Sequence, residues 1–367
     1  MPALSVSKEN VKNLKQSHKN LTYVTMDKSA ADSYVYAKMS GMMAKSFVGE
    51  RATHLFEVDS LSKLWTLVFN RESPPVPQNL LSRELEKEAQ KEFFNQYIKL
   101  IKNYSHPSQI LTTLLRFYEY DNLKTLSSAL NEGFEEMPEL ADISPFSQVN
   151  YSAWPNFQEI TAKSPYEWYK APVEFSVQKK NDYKLDEQYI RELWAATKKT
   201  APSCRKALED LIGEKISIDN VIWALRLKIY YKMPDFEILN HLVYSTDENK
   251  NSCNPEDIFV KESAKILSWD VDDWTKWGKW KLSAILNPHQ EGDVWILDPR
   301  WLNNAYKSFY VKKAYKMFHL YPFTECPLVC FFIVKRNELD NIRTAAESIR
   351  LNISSSQAME IAGLKGE

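Results

Sequence analysis

Glycine and cysteine are scarce in this sequence, and both scarcities narrow the possible folds. Only 8 of 367 residues are glycine, which argues against nucleotide-binding folds built on glycine-rich loops and against glycine-punctuated β-sandwiches. The four cysteines do not form the dense pattern of a disulfide framework, so we expect a reducing, cytoplasmic location. Helix is the class that needs least glycine, and the composition therefore favours an all-α protein.

Long apolar runs and an excess of one charge sign are also absent. The longest apolar stretch, residues 326–334, is half of the ~18 residues that a membrane-spanning helix needs. Residues 1–20 are polar and lack the apolar core of a secretory signal. Because 47 Lys and Arg face 48 Asp and Glu, the net charge is -1, and no basic surface for nucleic acid is expected.

Helical periodicity runs through most of the chain. After Asp59-Ser60, the residues Leu61, Leu64 and Trp65 have the spacing of one helix face. Similar patterns predict helices over 33–47, 80–103, 110–130, 185–199, 201–212, 219–232, 302–320 and 328–350, and a tryptophan-rich helix over 269–280. The proline-rich stretch 137–183 predicts short helices and turns, with a helix start at Ser164. No strand–helix alternation is present, although 293–297 reads as a short strand or a turn.

One short pattern occurs three times. An Asp-Asn pair followed by an aliphatic residue stands at 121–122, 219–220 and 340–341, next to an apolar helix each time. Asp and Asn often satisfy orphan backbone groups near helical turns, so a chance match is one interpretation. The shared helical context favours the other, a triplication. On that interpretation a polar segment precedes three helical units, with boundaries at 1–30, 31–118, 119–217 and 218–367.

Several short motifs occur in an order and spacing that match one protein family. They are the segments 34–38, 120–124, 219–228, 321–323, 328–335 and 338–343. On these residues the chain resembles the C-type subunit of archaeal and bacterial V/A-type rotary ATPases, which is the d-type subunit of the eukaryotic vacuolar enzyme. The resemblance spans residues 30–350. It departs at Lys38, where the family often has Arg, and in the stretches 137–183, 245–257 and 269–280.

The resemblance implies a fold, a role and partners. It implies three similar helical units, related by pseudo-threefold symmetry, that form a funnel. It also implies a peripheral seat on the cytoplasmic face of the membrane, on the proteolipid rotor ring, and a socket for the central shaft subunits of the D/F type. The chain would then be a non-catalytic central-stalk rotor subunit in H+ or Na+ transport, or in ATP synthesis, with no cofactor.

The residues themselves offer little catalytic chemistry. The nearest approach to a phosphate-binding loop is Gly213-Glu214-Lys215, which lacks its second glycine and its Ser or Thr; we read Gly213 as a helix end. Cys326 and Cys330 are four positions apart, whereas zinc pairs favour a two-residue spacer and a second pair elsewhere in the sequence; we interpret the four cysteines as buried thiols. His289, Glu291 and Asp293 read as a polar surface turn, or as the ligand set of a helical enzyme. We predict no catalytic, cofactor-binding or metal residue.

Six basic residues are candidates for partner binding. Lys307, Lys312 and Lys316 fall off the apolar stripe of the helix predicted over 302–320, so they form either a basic face for an acidic partner or lipid headgroups, or ordinary snorkelling lysines.

Arg226 and Arg343 lie on apolar helices near the Asp-Asn copies, and Lys124 occupies the matching position. They either line a cavity where a shaft docks or are half-buried and paired with carboxylates. A helical repeat scaffold for other protein partners remains the alternative function.

Overall fold

A computed structural model describes residues 27–286 and 297–364. Within these ranges the regular structure is helical and contains no strand, so the predicted all-α class is confirmed. The helices are α1 (Lys28–Met43), α2 (Leu61–Phe69), α3 (Gln78–Ile101), α4 (Gln109–Asn131), α5 (Phe157–Thr161), α6 (Phe175–Thr197), α7 (Pro202–Tyr231), α8 (Asp235–Asn240), α9 (Asp247–Asn251), α10 (Lys261–Leu267), α11 (Trp274–Trp277), α12 (Ser283–Leu286), α13 (Pro299–Leu320), α14 (Cys326–Arg350) and α15 (Ser355–Ile361). Among the described helices, none has the length and apolarity to cross a bilayer.

Local sequence signals account for several helix ends. The Ser60 hydroxyl accepts a hydrogen bond from the backbone N–H of Lys63 and so caps α2, and the Asp27 carboxylate caps α1 in the same way. Proline stands in the first turn of α7, α13 and α14, where its missing N–H leaves no intrahelical bond unmade. The N-terminal ends of these helices can therefore be predicted from the sequence.

Three pairs of long helices form the framework. Helix α4 packs against α6, α7 packs against α13, and α14 packs against α3. The first helix of each pair carries one Asp-Asn copy within its length rather than at its start. The third pair joins a helix from the end of the described chain to one near its beginning. Contacts of α13 with α14 and of α6 with α7 connect the pairs, so one large apolar core runs through the molecule.

Helix α7 is a correction to the sequence prediction. The two helices predicted over 201–212 and 219–232 are one continuous helix of 30 residues. Gly213, interpreted as a helix end, is buried inside it. A Cβ atom at this position would meet the Trp194 ring of α6 at 3.4 Å, which is an ordinary van der Waals distance. Gly213 therefore lies at the contact of α6 with α7, and its place inside α7 contradicts a helix end.

Two further predicted helices are wrong. Ser164 starts only a turn, in which its hydroxyl accepts from the N–H of Tyr166; Tyr166 is fully buried and donates its own hydroxyl to Glu119. The tryptophan-rich stretch contains one helical turn, α11, rather than a helix over 269–280. The indoles of Trp277 and its neighbours pack edge to face instead of forming a stripe. In both stretches, packing of large aromatic rings outweighs helix propensity.

Some predictions lie outside the described residues or are left open. His289, Glu291 and Asp293 fall in the stretch 287–296, as does most of the strand or turn considered over 293–297. The proposed unit boundaries 118/119 and 217/218 fall within α4 and α7, and the division into three units stays a prediction.

Candidate partner-binding surfaces

The asparagines of the first two Asp-Asn copies make the same pair of hydrogen bonds. The Asn122 amide donates to the carbonyl of Ala141 at 2.8 Å and accepts from the N–H of the same residue at 2.9 Å. The Asn220 amide donates to the carbonyl of Val243 at 2.8 Å and accepts from its N–H at 3.0 Å. Each asparagine thus holds the main chain of the segment that follows its helix. That both asparagines have the same structural role favours a true repeat over a chance match.

The third copy is built differently. Asn341 is 2 % exposed, yet its Nδ2 atom has no hydrogen-bond partner among the described residues. One turn earlier, the Glu338 carboxylate accepts from the N–H of Phe47 at 2.6 Å. In the first copy, Glu119 occupies the equivalent position and accepts from the N–H of Gln148 at 2.7 Å. The third copy therefore anchors a segment near the beginning of the chain, and it does so through its glutamate.

Lys124 and Arg343 both connect the first helix of a pair to the second. Lys124 on α4 forms an ion pair with Asp186 on α6. Arg343 on α14 lies 3.7 Å from Glu86 on α3, and 3.9 Å from Asp340 on its own helix. Both residues follow their repeat asparagine by two positions. The structure shows the pairing with carboxylates that was one of the two interpretations, and partner binding at these two positions stays a prediction.

Arg226 differs from these two residues. It is half-buried on α7 and forms no ion pair with any residue in 27–286 or 297–364. A half-buried guanidinium without a carboxylate retains its full charge and its five donors for an external acceptor. Among the three residues predicted around the repeat, Arg226 is the one left available for a partner.

Arg336 was missed by the sequence analysis. This α14 residue places its guanidinium carbon 3.8 Å from the centre of the Phe117 ring on α4, a cation–π contact between two of the repeat helices. Although Asp121 is exposed, partial desolvation by the surrounding protein raises the pKa of its carboxyl above the ordinary value, against the opposing charges of Lys124 and Arg336. We call Asp121, Lys124, Arg336 and Arg343 the α4–α14 charged face.

The turns between the helix pairs line a polar cavity. Its volume is about 470 Å³, and its walls come from the α3–α4, α6–α7 and α13–α14 connections together with the start of α1. Lys28 bonds to Glu325 at 3.2 Å, and the Tyr104 hydroxyl donates to Asp32 at 2.9 Å. Burial raises the pKa of Asp32. For Glu325, backbone hydrogen bonds and Lys28 outweigh burial and lower the pKa. The cavity walls therefore satisfy their own charges.

Helix α13 carries the remaining three predicted residues. Its 22 residues include one Arg and four Lys and no acidic residue. Lys313 pairs with Glu214 of α7, whereas Lys307, Lys312 and Lys316 form no ion pair within the part of the chain that the structure describes. At 100° per residue, Lys307 lies roughly 140° around the helix from Lys312, and it is half-buried. The predicted basic face therefore contains Lys312 and Lys316 but not Lys307.

The four cysteines match the sequence prediction in part. Cys204, Cys326 and Cys330 are buried free thiols as predicted, but Cys253 is partly exposed. Within the described ranges, no group of three or more His, Cys, Asp or Glu could hold a metal ion.

Comparisons with known proteins agree on one family. The family described as ATP synthase (C/AC39) subunit matches residues 37–361. An uncharacterized protein of Treponema pallidum is 26 % identical over 342 residues, which cover 93 % of this chain and 98 % of that protein. The C-type subunit of an A-type ATP synthase from Methanosarcina mazei is 22 % identical over 260 residues, or 67 % of this chain and 68 % of that protein. The family match includes all six helices of the three pairs, and the chain therefore belongs to the ATP synthase (C/AC39) subunit family of V/A-type rotary ATPases.

Proposed function

We propose that this chain is the non-catalytic central-stalk rotor subunit that couples the shaft of a V/A-type ATPase to its membrane proteolipid ring. The observation that carries the proposal is the family match over 37–361, which takes in every helix pair and every Asp-Asn copy. The proposed seat is the cytoplasmic face of the membrane. The three helix pairs would be the three units of a funnel, and the chain would turn with shaft and ring.

The packing of the pairs suits a part that transmits torque. A coupling element must resist shear, and close-packed interiors are weakly compressible. Here the pairs share one apolar core, and Arg336 and Arg343 add polar contacts from α14 to two neighbouring helices. Such polar contacts oppose the sliding of one helix past another because their geometry is directional. Apolar contacts resist sliding less well because the hydrophobic effect is non-directional.

Arg226 is the proposed contact for the shaft. Its charge is not neutralised by a described carboxylate, whereas Lys124 and Arg343 are engaged within the chain. Removing one member of a buried charge pair at an interface lowers the binding free energy several-fold more than altering a residue at the rim of the interface. We expect Arg226→Glu to weaken binding of purified D/F-type shaft subunits at least tenfold while the thermal unfolding midpoint stays unchanged. Binding as tight as that of the parent would exclude Arg226 from the socket.

The assembly itself is tested by purification from the host. The chain, tagged at its C-terminus, is extracted with its membranes in mild detergent, and co-purifying proteins are identified by mass spectrometry. The rotor proposal predicts shaft subunits, ring proteolipid and the nucleotide-hydrolysing subunits together. Recovery of other partners without any ATPase subunit would support a helical scaffold instead, and would leave only the family fold.

A further inference from the structure

The exposed side of α13 combines lysines with large apolar side chains. Lys312, Tyr315, Lys316 and His319 are all exposed and recur at the three- and four-residue spacing of one helix face. The same face includes Phe309 and Leu320, which are 44 % and 57 % exposed. We call these six residues the α13 basic face. The opposite side of the helix, which includes Tyr306, Tyr310 and Phe318, is buried in the core.

The charge of this face is not balanced locally. Lys312 and Lys316 have no ion pair in 27–286 or 297–364, and no acidic residue is present anywhere on α13. Two of the five cations of α13, Arg300 and Lys313, pair with carboxylates outside this helix. The net charge of the chain is only -1, so the unpaired Lys312 and Lys316 form a local excess of positive charge. Such a surface attracts an anionic partner over about one Debye length, ~8 Å at physiological salt.

The residue types identify the kind of anion. Specific carboxylate recognition favours the planar fork of arginine, and protein interfaces are depleted in lysine. The α13 basic face contains two lysines and no arginine, and the single Arg of the helix, Arg300, is engaged with Asp298. Lysines interleaved with aromatic and aliphatic side chains are typical of helices that lie at a membrane surface, where the rings enter the headgroup layer and the ammonium groups meet phosphates.

We propose that the α13 basic face binds anionic phospholipid headgroups directly. The lysines attract the anionic headgroups electrostatically. Phe309, Tyr315 and Leu320 bury apolar surface away from water when they enter the headgroup layer. This contact goes beyond the rotor role, because it needs neither shaft nor ring. The following test therefore uses the purified full-length chain alone, and its result does not depend on whether the chain assembles with an ATPase.

Vesicle sedimentation provides the first measurement. We expect the chain to bind phosphatidylcholine vesicles that contain phosphatidylglycerol more tightly than vesicles of phosphatidylcholine alone. Raising the salt concentration should weaken that binding by screening the charges. Because each lysine near an anionic surface contributes about fivefold, the double variant Lys312→Glu/Lys316→Glu should bind at least about 25-fold more weakly. Both positions are exposed, so the thermal midpoint should not change.

A matched control separates a local effect from a change in net charge. Lys91 on α3 and Lys180 on α6 are also exposed and form no ion pair among the described residues, and Lys91→Glu/Lys180→Glu changes the net charge by the same amount. This control variant should bind like the parent. Equal loss in both double variants would mean non-specific attraction and would overturn the proposal.

A footprint on the unmodified chain gives a second, independent readout. Acetylation of lysines followed by mass spectrometry should show Lys312 and Lys316 protected by phosphatidylglycerol vesicles, while Lys180 stays reactive. Protection elsewhere, equal binding to both vesicle types, or unimpaired binding of Lys312→Glu/Lys316→Glu would overturn the proposal. Protection of these lysines by shaft or ring proteins but not by vesicles would also overturn it, and would identify an acidic protein surface as the occupant.

Discussion

The first two Asp-Asn copies and the third share a sequence pattern but not its hydrogen bonds. Asn122 and Asn220 each hold a peptide N–H and carbonyl of the segment that follows in the chain. Asn341 has no partner for its buried amide nitrogen among the described residues. The third copy instead shares its anchoring glutamate with the first, since Glu338 and Glu119 both accept from a backbone N–H. The Asp-Asn pattern therefore does not by itself specify the hydrogen bonds of its asparagine.

The largest expected effect tests the glutamate anchors. Glu338→Leu removes the acceptor for the Phe47 N–H and leaves Lys335, its buried ion-pair partner, without a counter-charge. Loss of one partner from a buried pair costs about 3–5 kcal/mol of unfolding free energy. Glu119→Leu leaves three hydrogen-bond donors without their acceptor. It should lower the free energy of unfolding by a similar amount. Urea denaturation measures both, and a loss below ~1 kcal/mol in either would contradict the anchoring role.

The next effect separates the copies directly. Asn122→Leu and Asn220→Leu leave a peptide N–H and carbonyl unpaired, which should cost about 2–4 kcal/mol each because buried donors and acceptors lose their partners. Asn341→Leu removes a buried amide nitrogen that no described residue accepts from and should be neutral or stabilising. The matched series is measured by urea denaturation under one buffer condition. A large loss for Asn341→Leu would mean that the third copy holds a partner of its own.

A pH effect distinguishes the first copy further. Burial is the main cause that raises the pKa of Glu119 above its ordinary 4.5, against three hydrogen bonds that lower it. A raised pKa means that the folded state binds the proton more tightly than the unfolded state, so this contribution to stability is present below pH ~4.5 and is lost as pH rises through the folded pKa. In Glu119→Gln, the free energy of unfolding should therefore fall less steeply as the pH rises.

The measurement is the unfolding free energy of parent and Glu119→Gln between acid and neutral pH. Glu325 is the internal contrast, since its lowered pKa gives stability that is present above pH ~4.5 and is lost on acidification. Glu325→Gln should therefore change the pH profile in the opposite direction. Parallel profiles for the parent and both variants would refute the two assignments.

The smallest effect concerns the ion pairs that the copies share. Lys124→Met and Arg343→Met each remove a partly exposed pair between two helices. Such pairs contribute about 0.2–1 kcal/mol, so each variant should lose no more than that, and the loss should shrink in high salt. Thermal melts at two salt concentrations measure it. A salt-independent loss of several kcal/mol would show that one of these residues is buried in an essential network.

The sequence predicts the helical class and most long helices because apolar periodicity and proline or serine starts are local signals. It does not predict that α7 is continuous, because the packing of α7 against α6, where Gly213 faces Trp194, is not a local signal. Arg336 escaped attention for the same reason, since its role depends on Phe117. The lysines of α13 were identified by their distance from the apolar stripe, and helical geometry already separates Lys307 from Lys312; the structure adds that Lys313 pairs with Glu214 of another helix.

The pairing of α14 with α3 has a consequence for biosynthesis. The apolar side of α3 leaves the ribosome long before α14 is made, so until then it can pack against α2 and α4 but not against α14. Pairs α4–α6 and α7–α13 can close while the chain is still growing, whereas the third must wait for residues 326–350. We therefore expect nascent chains stopped before α14 to expose α3 to chaperones and proteases, and full-length chains to lose that sensitivity in a single late step.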